Sequence, residues 1–249
     1  MTKHGGRRIA TARGATLTDS SGLAQAAGPD ADAIFDPVFW RARGQLAPVF
    51  GGRGAAWFIA TEGRQWALRH YRRGGWIARQ SNLDRYVWMG ESRVRAFAEW
   101  RLLAQLFERG FPVPKPIAAR YQRAGFTYRC DIITERLADA RPLSQLLTDG
   151  ALGQRAWEAV GATLARFHQA GVDHADLNAH NILLDGHGTV SVIDFDRGRI
   201  RSAGGWKAQN LSRLRRSLRK IGASLPADRL ESRHWDWLVE GYGRHASPV

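Results

Sequence analysis

The chain of 249 residues carries 37 Lys or Arg against 23 Asp or Glu, a formal net charge of +14. Its length allows one large domain or two smaller lobes, each with its own core. The single cysteine, Cys130, excludes an internal disulfide framework, and no Cys/His cluster has the spacing of a zinc site. The basic surplus favours an anionic partner, such as nucleic acid, an acidic membrane surface or a polyanionic substrate.

The N-terminal segment is rich in Gly, Ala, Ser and Thr and has little periodic apolar content. Such a composition cannot bury enough surface to offset the entropy of ordering, so a flexible tail is predicted over residues 1–34. The longest stretch without Asp, Glu, Lys or Arg is only Ser20 to Pro29. Neither a signal peptide nor a transmembrane helix is therefore expected.

Two β-type runs follow a short amphipathic segment and meet at the turn Thr61-Glu62-Gly63, which predicts a hairpin. Its entry contains Gly51, Gly52 and Gly54. These glycines form either a loop that approaches phosphates closely or an ordinary turn, because their spacing does not match GxGxxG. Residues 64–79 hold five arginines and no acid, which suits either a solvated loop or a rim that binds anions.

Apolar residues at a period near 3.6 predict a helix from Arg93 to Arg109. Glu99 lies within this helix and either pairs with Arg69 or is solvated. Two more strands are predicted in PIAARYQR and TYRCDIITERL, after which short strands give way to helices, so a lobe boundary is placed after Ala138. His168, near the end of the second of these helices, is interpreted as a core or hydrogen-bonded residue rather than a catalytic one.

The stretch HADLNAHN, His174 to Asn181, places a carboxylate five residues before a carboxamide. Asp176 is suited to orient a substrate hydroxyl and accept its proton during phosphoryl transfer, and Asn181 offers a neutral oxygen to Mg²⁺. His174 is interpreted as a structural residue of the loop rather than as a base.

A β-hairpin is predicted directly after this loop, with the turn Asp185-Gly186-His187-Gly188. Its return strand carries Asp194 back beside Asn181. One carboxylate, one carboxamide and the phosphates of a nucleotide form a suitable set of oxygen ligands for Mg²⁺.

The pattern HxDxxxxN followed by Asp194-Phe195 resembles the protein-kinase-like superfamily. The resemblance implies an α+β fold of two lobes, with an antiparallel β N-lobe and one main helix over residues 35–138 and a mostly helical C-lobe over 139–249. It implies that Asp176 is the catalytic base and that Asn181 and Asp194 are the metal ligands. The same resemblance implies nucleotide-binding roles for Gly51, Gly52 and Gly54 as the phosphate loop, Arg69 at the position of the strand lysine, Glu99 as the helix glutamate and Glu135 within the adenine hinge of Thr134 to Leu137.

Further segments are similar to the lipopolysaccharide 3-deoxy-D-manno-octulosonic acid (Kdo) kinase family over roughly residues 35 to 245. They are GRGAAWF, LRHYRRGG, ERGFPVPKPIAA, HADLNAHNILLD and IDFDRGRIR. This resemblance implies transfer of the ATP γ-phosphate to the 4-hydroxyl of Kdo on lipid IVA, at the cytoplasmic face of the bacterial inner membrane. ATP and Mg²⁺ are the implied cofactors, and no nucleic acid is expected as a partner.

Two positions depart from protein kinases. Arg69 stands where a lysine is expected, and an arginine offers a planar fork rather than a point charge. Asp196 replaces the glycine of the DFG motif and either assists the metal or caps the next turn. Both departures fit the Kdo kinase pattern.

The segment from Arg199 to Lys220 has eight Lys or Arg and no acid. Leu211, Leu214, Leu218 and Ile221 recur at helical spacing, so one helix face is apolar and the others are basic. This helix either packs in the C-lobe or brings its cations to lipid head groups, and the two roles are compatible.

The leading hypothesis is an ATP-dependent, Mg²⁺-requiring kinase that acts on lipid-linked Kdo. One alternative keeps the fold but changes the acceptor to heptose, another small molecule such as an aminoglycoside, or a protein. The other alternative is a non-catalytic basic protein that binds membrane or nucleic acid.

Overall fold

The computed structural model describes residues 6–19, 32–47, 56–61, 63–72, 84–137, 139–150, 152–226 and 229–245. These residues form six α-helices and thirteen β-strands, so the predicted α+β class is confirmed. The chain divides into two compact units. The first comprises Met1–Glu108 and Pro114–Ala138, and the second comprises Arg109–Val113 and Asp139–Val249.

The first unit is built on an eight-stranded antiparallel sheet. Its strands are β1 (Arg7–Thr11), β2 (Gly14–Thr18), β3 (Leu46–Ala47), β4 (Trp57–Thr61), β5 (Arg64–His70), β6 (Tyr86–Val87), β7 (Pro116–Ala124) and β8 (Thr127–Glu135). Their order is β1-β2-β7-β8-β5-β4-β3, and β6 pairs with the start of β8.

Different helices cover the two faces of this sheet. Trp66 and Leu68 of β5 lie in a core that includes Trp40 of α1 (Pro37–Arg41). The second helix, α2 (Arg95–Glu108), packs against β7 and β8. Because successive side chains of a strand point to opposite faces, Arg69 lies on the face away from Leu68. This alternation places Arg69 beside α2.

The flexible tail predicted for residues 1–34 is wrong for the described part of that segment. Strands β1 and β2 form a hairpin whose inner strand pairs with β7, from Gly14 opposite Gln122 to Thr18 opposite Ala118. Four consecutive residues of β2, Ala15 to Thr18, are buried. The small residues of this segment bury little surface by themselves, and the hairpin is stable because β7 provides a complete row of backbone partners.

The second unit contains four helices and five short strands among its described residues. They are β9 (Arg141–Pro142), α3 (Leu143–Asp149), α4 (Gln154–Gln169), β10 (Val172–Asp173), β11 (Ile182–Leu184), β12 (Val190–Val192), β13 (Arg199–Ile200), α5 (Trp206–Gly222) and α6 (Ser232–His245). Strands β9, β11 and β12 form one small antiparallel sheet, and β10 pairs with β13.

Helices α4 and α6 approach each other closely at two glycines. A Cβ atom on Gly161 would lie 2.0 Å from the carbonyl oxygen of Leu238, and one on Gly241 would lie 2.2 Å from that of Glu158. Only glycine allows the two backbones to pack at this distance. These two glycine contacts hold α4 and α6 against each other in the second unit.

Candidate active site

A buried histidine holds the loop that follows β10. The Nε2–H of His174 donates to the carbonyl oxygen of Ile193 at 2.9 Å, and its Nδ1 accepts from the backbone N–H of Asp176 at 3.3 Å. One ring nitrogen donates and the other accepts, which requires the neutral imidazole. Burial lowers the pKa of His174 and favours the same form. His174 therefore orients the loop, in agreement with its predicted structural role.

The Asp176 residue is exposed, whereas its backbone is fixed. Its carbonyl oxygen accepts hydrogen bonds from Nδ2 of Asn178 and from Nδ2 of Asn181, each at 3.0 Å. The neighbouring residue Leu177 is buried, with 1% of its surface exposed. The loop thus presents a carboxylate to solvent on a backbone that is held from both sides, which is the arrangement that a base for an incoming hydroxyl requires.

The pairing of β11 with β12 brings the backbone of Asp194 beside that of Asn181. Ile182 pairs with Val192, and the ladder continues with a hydrogen bond of 3.0 Å from the Ile193 N–H to the Asn181 carbonyl oxygen. Asp194 is the next residue and has a φ of 63°, a conformation rare for residues other than glycine. Phe195 then packs its ring into the core, 4.7 Å from the ring of His174. The hairpin predicted from the sequence is confirmed.

The side chains of Asn181 and Asp194 fit a hard cation. The Asn181 amide nitrogen is bonded to Asp176, so its carboxamide oxygen is the atom that remains for a ligand role. Asp194 adds a carboxylate directly after the residue that pairs with Asn181. Within the described ranges, no group of three or more His, Cys, Asp and Glu converges on a common point. A carboxamide and a carboxylate suit Mg²⁺, which retains waters and phosphate oxygens as its other ligands.

A second layer of polar residues supports the loop from α5. Asn210 is fully buried, and its Nδ2 donates to Asp173 Oδ1 at 2.8 Å while its Oδ1 accepts from the His174 N–H at 3.1 Å. Arg201 donates to the other oxygen of Asp173 at 3.0 Å. Burial acts to raise the pKa of Asp173, but the bonds from Asn210 and Arg201 outweigh it and hold that pKa below its usual value. Further along α5, Ser217 accepts from the Ala179 N–H at 3.2 Å.

In the first unit, Arg69 and Glu99 form the ion pair that the sequence left open. Nη2 of Arg69 lies 2.5 Å from Oε1 of Glu99, whose side chain is only 1% exposed. The hydroxyl of Tyr71 donates to the other Glu99 oxygen. Burial, with the Glu99 charge beside it, raises the pKa of Tyr71 well above its usual value, so Tyr71 remains a donor. The pair orients the guanidinium of Arg69, which stays partly exposed.

The remaining nucleotide-binding predictions have different outcomes. Glu135 is the last residue of β8, and its backbone N–H donates to Lys115 O at 2.8 Å, so that amide is not available to a ligand. Its hinge role stays a prediction. Gly51, Gly52 and Gly54 lie outside the described residues, as do residues 73–79 of the basic stretch.

Sequence reasoning missed Asp173, Asn210, Ser217 and Tyr71. Asp173, Asn210 and Ser217 form no local sequence motif. The hydrogen bonds that join Asn210 and Ser217 to the loop and to Asp173 connect residues 36 to 38 positions apart in the chain. A signal existed for Asn210, which is a polar residue one turn before Leu214 on the apolar face of the predicted helix. A polar residue on a buried face usually has a specific partner.

Sequence similarity identifies the family of the chain. The profile of the lipopolysaccharide kinase (Kdo/WaaP) family matches residues 38–242. The chain is 49% identical over 210 residues to a 3-deoxy-D-manno-octulosonic acid kinase of Stenotrophomonas maltophilia (strain R551-3), which covers 84% of this chain and 81% of that protein. Proteins of the same name from Xanthomonas axonopodis pv. citri (strain 306) and Xanthomonas oryzae pv. oryzae (strain PXO99A) are each 48% identical, with the same coverage. The chain therefore belongs to the lipopolysaccharide kinase (Kdo/WaaP) family and is a phosphotransferase that acts on a hydroxyl group.

Proposed function

We propose that the protein transfers the γ-phosphate of ATP to the 4-hydroxyl of Kdo in Kdo-lipid IVA. The observation that carries the proposal is the loop in which Asn181 holds the backbone of Asp176 while Asp194 returns beside it. Its acceptor is supported by the relatives, which are named 3-deoxy-D-manno-octulosonic acid kinases. The non-catalytic hypothesis is set aside because the chain belongs to a family of kinases.

In this proposal, Asp176 accepts a hydrogen bond from the acceptor hydroxyl and takes its proton as the phosphoryl group is transferred. The hydroxyl oxygen attacks the γ-phosphorus, the bond to the β-phosphate bridging oxygen breaks, and ADP leaves. In this proposal His174 does not take part in the proton transfer, because its ring nitrogens are bonded to the backbone of Ile193 and Asp176.

Asn181 and Asp194 would hold Mg²⁺ with a carboxamide and a carboxylate. When bound, the cation neutralises charge on the phosphate oxygens. The guanidinium of Arg69, oriented by Glu99, is proposed to contact the ATP phosphates. The loop of Gly51, Gly52 and Gly54 and the segment at Glu135 are proposed to bind the rest of the nucleotide.

The test is a single substitution with a matched control. Asp176→Asn keeps the shape of the side chain but removes the base, and a positioned base contributes about 10² to 10⁴-fold. Turnover of Kdo-lipid IVA, followed by mass spectrometry with ATP and Mg²⁺, should fall by that factor. Asp236→Asn changes an exposed aspartate on α6 and should leave turnover unchanged. Wild-type turnover by Asp176→Asn would show that Asp176 is not the base.

The acceptor is tested separately with a panel of Kdo-lipid IVA, a heptose-containing acceptor, an aminoglycoside and a protein. Phosphate transfer from labelled ATP to Kdo-lipid IVA alone is expected. Transfer only to another acceptor would keep the kinase chemistry and overturn the proposed substrate.

We further propose that the protein works at the cytoplasmic face of the inner membrane as a peripheral protein. The support is the net charge of +14, which favours an anionic surface, and a substrate that is anchored in lipid. None of the helices in the described part of the chain combines the length and the apolar composition of a membrane-spanning segment.

A further inference from the structure

Three large apolar side chains are exposed at one end of the sheet in the first unit. Phe126 is 91% exposed, and Val87 and Met89 are each 61% exposed. Apolar residues scattered singly over a surface are common, but a group of them marks an interaction site. We call these three residues the apolar tip.

Backbone pairing holds the apolar tip together. Val87 of β6 pairs with Thr127, the first residue of β8, and the Trp88 N–H donates to the Phe126 carbonyl oxygen at 2.9 Å. Phe126 occupies the turn between β7 and β8, directly after Gly125, whose φ is +58°. Val87 thus lies in β6, Met89 lies two residues after it, and Phe126 lies in the turn that leads into the paired strand β8.

The outward direction of Val87 and Met89 follows from the residues between them. Tyr86 packs against the ring of Tyr128 at 5.6 Å, and Trp88 packs against that of Tyr121 at 5.0 Å. Because side chains alternate along an extended segment, the inward packing of Tyr86 and Trp88 turns Val87 and Met89 to solvent. The exposure of the apolar tip is thus built into the packing of the sheet.

Three arginines contact residues of this region. The guanidinium of Arg123 lies 4.6 Å from the Trp88 ring, Arg93 Nη1 lies 3.8 Å from Met89 Sδ, and Arg85 Nη1 lies 3.5 Å from Thr127 Oγ1. None of the three forms an ion pair with another residue that the structure describes.

The nearby acids are committed elsewhere. Glu91 accepts from Arg8 at 2.9 Å and from the Tyr121 hydroxyl at 2.7 Å. Asp84 lies 2.7 Å from Nε of Arg129. The surroundings of the apolar tip therefore carry a positive charge that an external anion can meet.

We propose that the apolar tip docks on a bilayer with anionic head groups, with its apolar side chains in the acyl boundary and the three arginines at the phosphates. Apolar residues with cations and an aromatic ring at their base suit the membrane interface. A bilayer is the proposed partner because the proposed acceptor is anchored in lipid, and to that extent the inference rests on the proposed function. The exposed face of α5, with Arg215, Arg216, Arg219 and Lys220, shows no exposed large apolar residue and offers charge alone.

Cosedimentation with acceptor-free vesicles of phosphatidylglycerol and phosphatidylcholine tests the docking. The double variant Val87→Ser/Phe126→Ser should reduce the partition coefficient roughly tenfold or more, since it removes apolar surface that would be buried. Val239→Ser changes a valine that is 44% exposed on α6 and should bind as the wild type does. Equal thermal unfolding midpoints would show that all three proteins are folded.

The charge is tested with Arg123→Gln, which should weaken binding to these vesicles roughly fivefold, since each cation near an anionic surface contributes about that factor. Arg64→Gln removes an exposed arginine at the start of β5 and should have less effect. An equal loss of vesicle binding in Arg123→Gln and Arg64→Gln would indicate that any surface cation attracts the vesicles equally. That result would overturn the proposal. Loss of binding in Arg215→Gln/Arg219→Gln with full binding by Val87→Ser/Phe126→Ser would overturn it as well.

Because these vesicles contain no acceptor, docking is measured whether or not Kdo is the substrate. Activity provides a second measurement: Val87→Ser/Phe126→Ser should keep wild-type turnover on a deacylated, water-soluble Kdo acceptor and lose turnover on vesicle-embedded Kdo-lipid IVA. An equal loss on both acceptors would contradict the docking role. Inactivity of the wild type on both would contradict only the proposed function.

Discussion

A buried carboxylate determines how Arg69 is presented. Glu99 receives one hydrogen bond from Arg69 and one from Tyr71, and its side chain is almost fully buried. An arginine at this position satisfies the glutamate and still keeps part of its planar fork exposed, which a lysine with a single ammonium group does less well. The arginine that departs from the protein-kinase pattern is therefore matched by its surroundings.

Substitution of Arg69 separates its structural role from its role in binding. Arg69→Met leaves a buried, negatively charged Glu99, so the free energy of unfolding should fall by about 2 kcal/mol, less than for a fully buried pair because Arg69 is partly exposed. The KM for ATP should rise at the same time. The double variant Arg69→Met/Glu99→Gln should recover the stability but not the ATP affinity. Urea unfolding and ATP titrations measure the two effects, and full recovery of both would contradict a contact with phosphate.

His168 makes stability depend on pH. Its ring is buried between Trp206 and Tyr242, with Nδ1 2.9 Å from the Tyr242 hydroxyl, as expected for the core residue that the sequence predicted. Burial lowers the pKa of His168 to about 4. The unfolded chain binds a proton near pH 6.5 and the folded chain does not, so stability is present above that pH and is lost as the pH falls towards 4.

Replacement of His168 should therefore reduce the loss of stability in acid. Between pH 7 and pH 4.5, wild-type protein should lose roughly 2 kcal/mol more than His168→Gln. Urea unfolding at both pH values measures the difference. The same acid sensitivity in both proteins would assign the effect to other groups, such as His174 or His234, whose pKa values are also lowered by burial.

At the scale of elements, α5 joins two functions in one helix. Its buried side supplies Asn210 and Ser217 to the loop of Asp176, and its exposed side carries a row of cations. The sequence predicted the helix and its apolar face. The role of α5 in holding the loop is a finding of the structure, because it depends on a contact between segments that are far apart in the chain.

Asn210→Ala should affect catalysis more than ATP binding. The change removes the Asn210 partner of the His174 N–H and of Asp173 Oδ1. The free energy of unfolding should fall by about 2 kcal/mol. Because the loop loses its support, kcat should fall at least roughly tenfold, while the KM for ATP changes little. Gln209→Ala, at the exposed neighbouring position, is the control. Wild-type kcat in a destabilised Asn210→Ala protein would mean that Asn210 has a purely structural role.

For the whole molecule, the formal net charge is +14, and a surplus of this size favours association with an anionic partner. Added salt largely screens interactions between exposed charges that lie farther apart than the Debye length, which is about 10 Å at 0.1 M ionic strength. Raising the ionic strength should therefore lower kcat/KM for vesicle-embedded acceptor roughly tenfold, with a smaller change in kcat. Steady-state kinetics over a salt series measures this. A kcat/KM that does not respond to salt would argue that the basic surplus has no role in meeting the acceptor.

Much of the secondary structure could be predicted because its signals are local. The periods of the apolar residues indicated α2, α5 and the strands β7 and β8, and turn residues indicated the β11–β12 hairpin. The β1–β2 hairpin could not be predicted, since its burial depends on β7, about a hundred residues later. Ala and Thr form a flexible segment or a buried strand according to the neighbour that is present.

The sequence by itself determined the reaction class. Asp176, Asn181 and Asp194 all lie in one loop and the hairpin that follows it. Local chain connectivity sets the geometry of such a short segment. Only the tertiary structure decided which residue holds that loop in place, because Asn210 meets His174 across 36 residues. In the first unit it likewise decided that Glu99 orients Arg69, across 30 residues. It also decided which apolar residues stay outside the core. Phe126 and Phe97 are the same amino acid, and packing against the sheet buries Phe97 while the turn after β7 leaves Phe126 exposed.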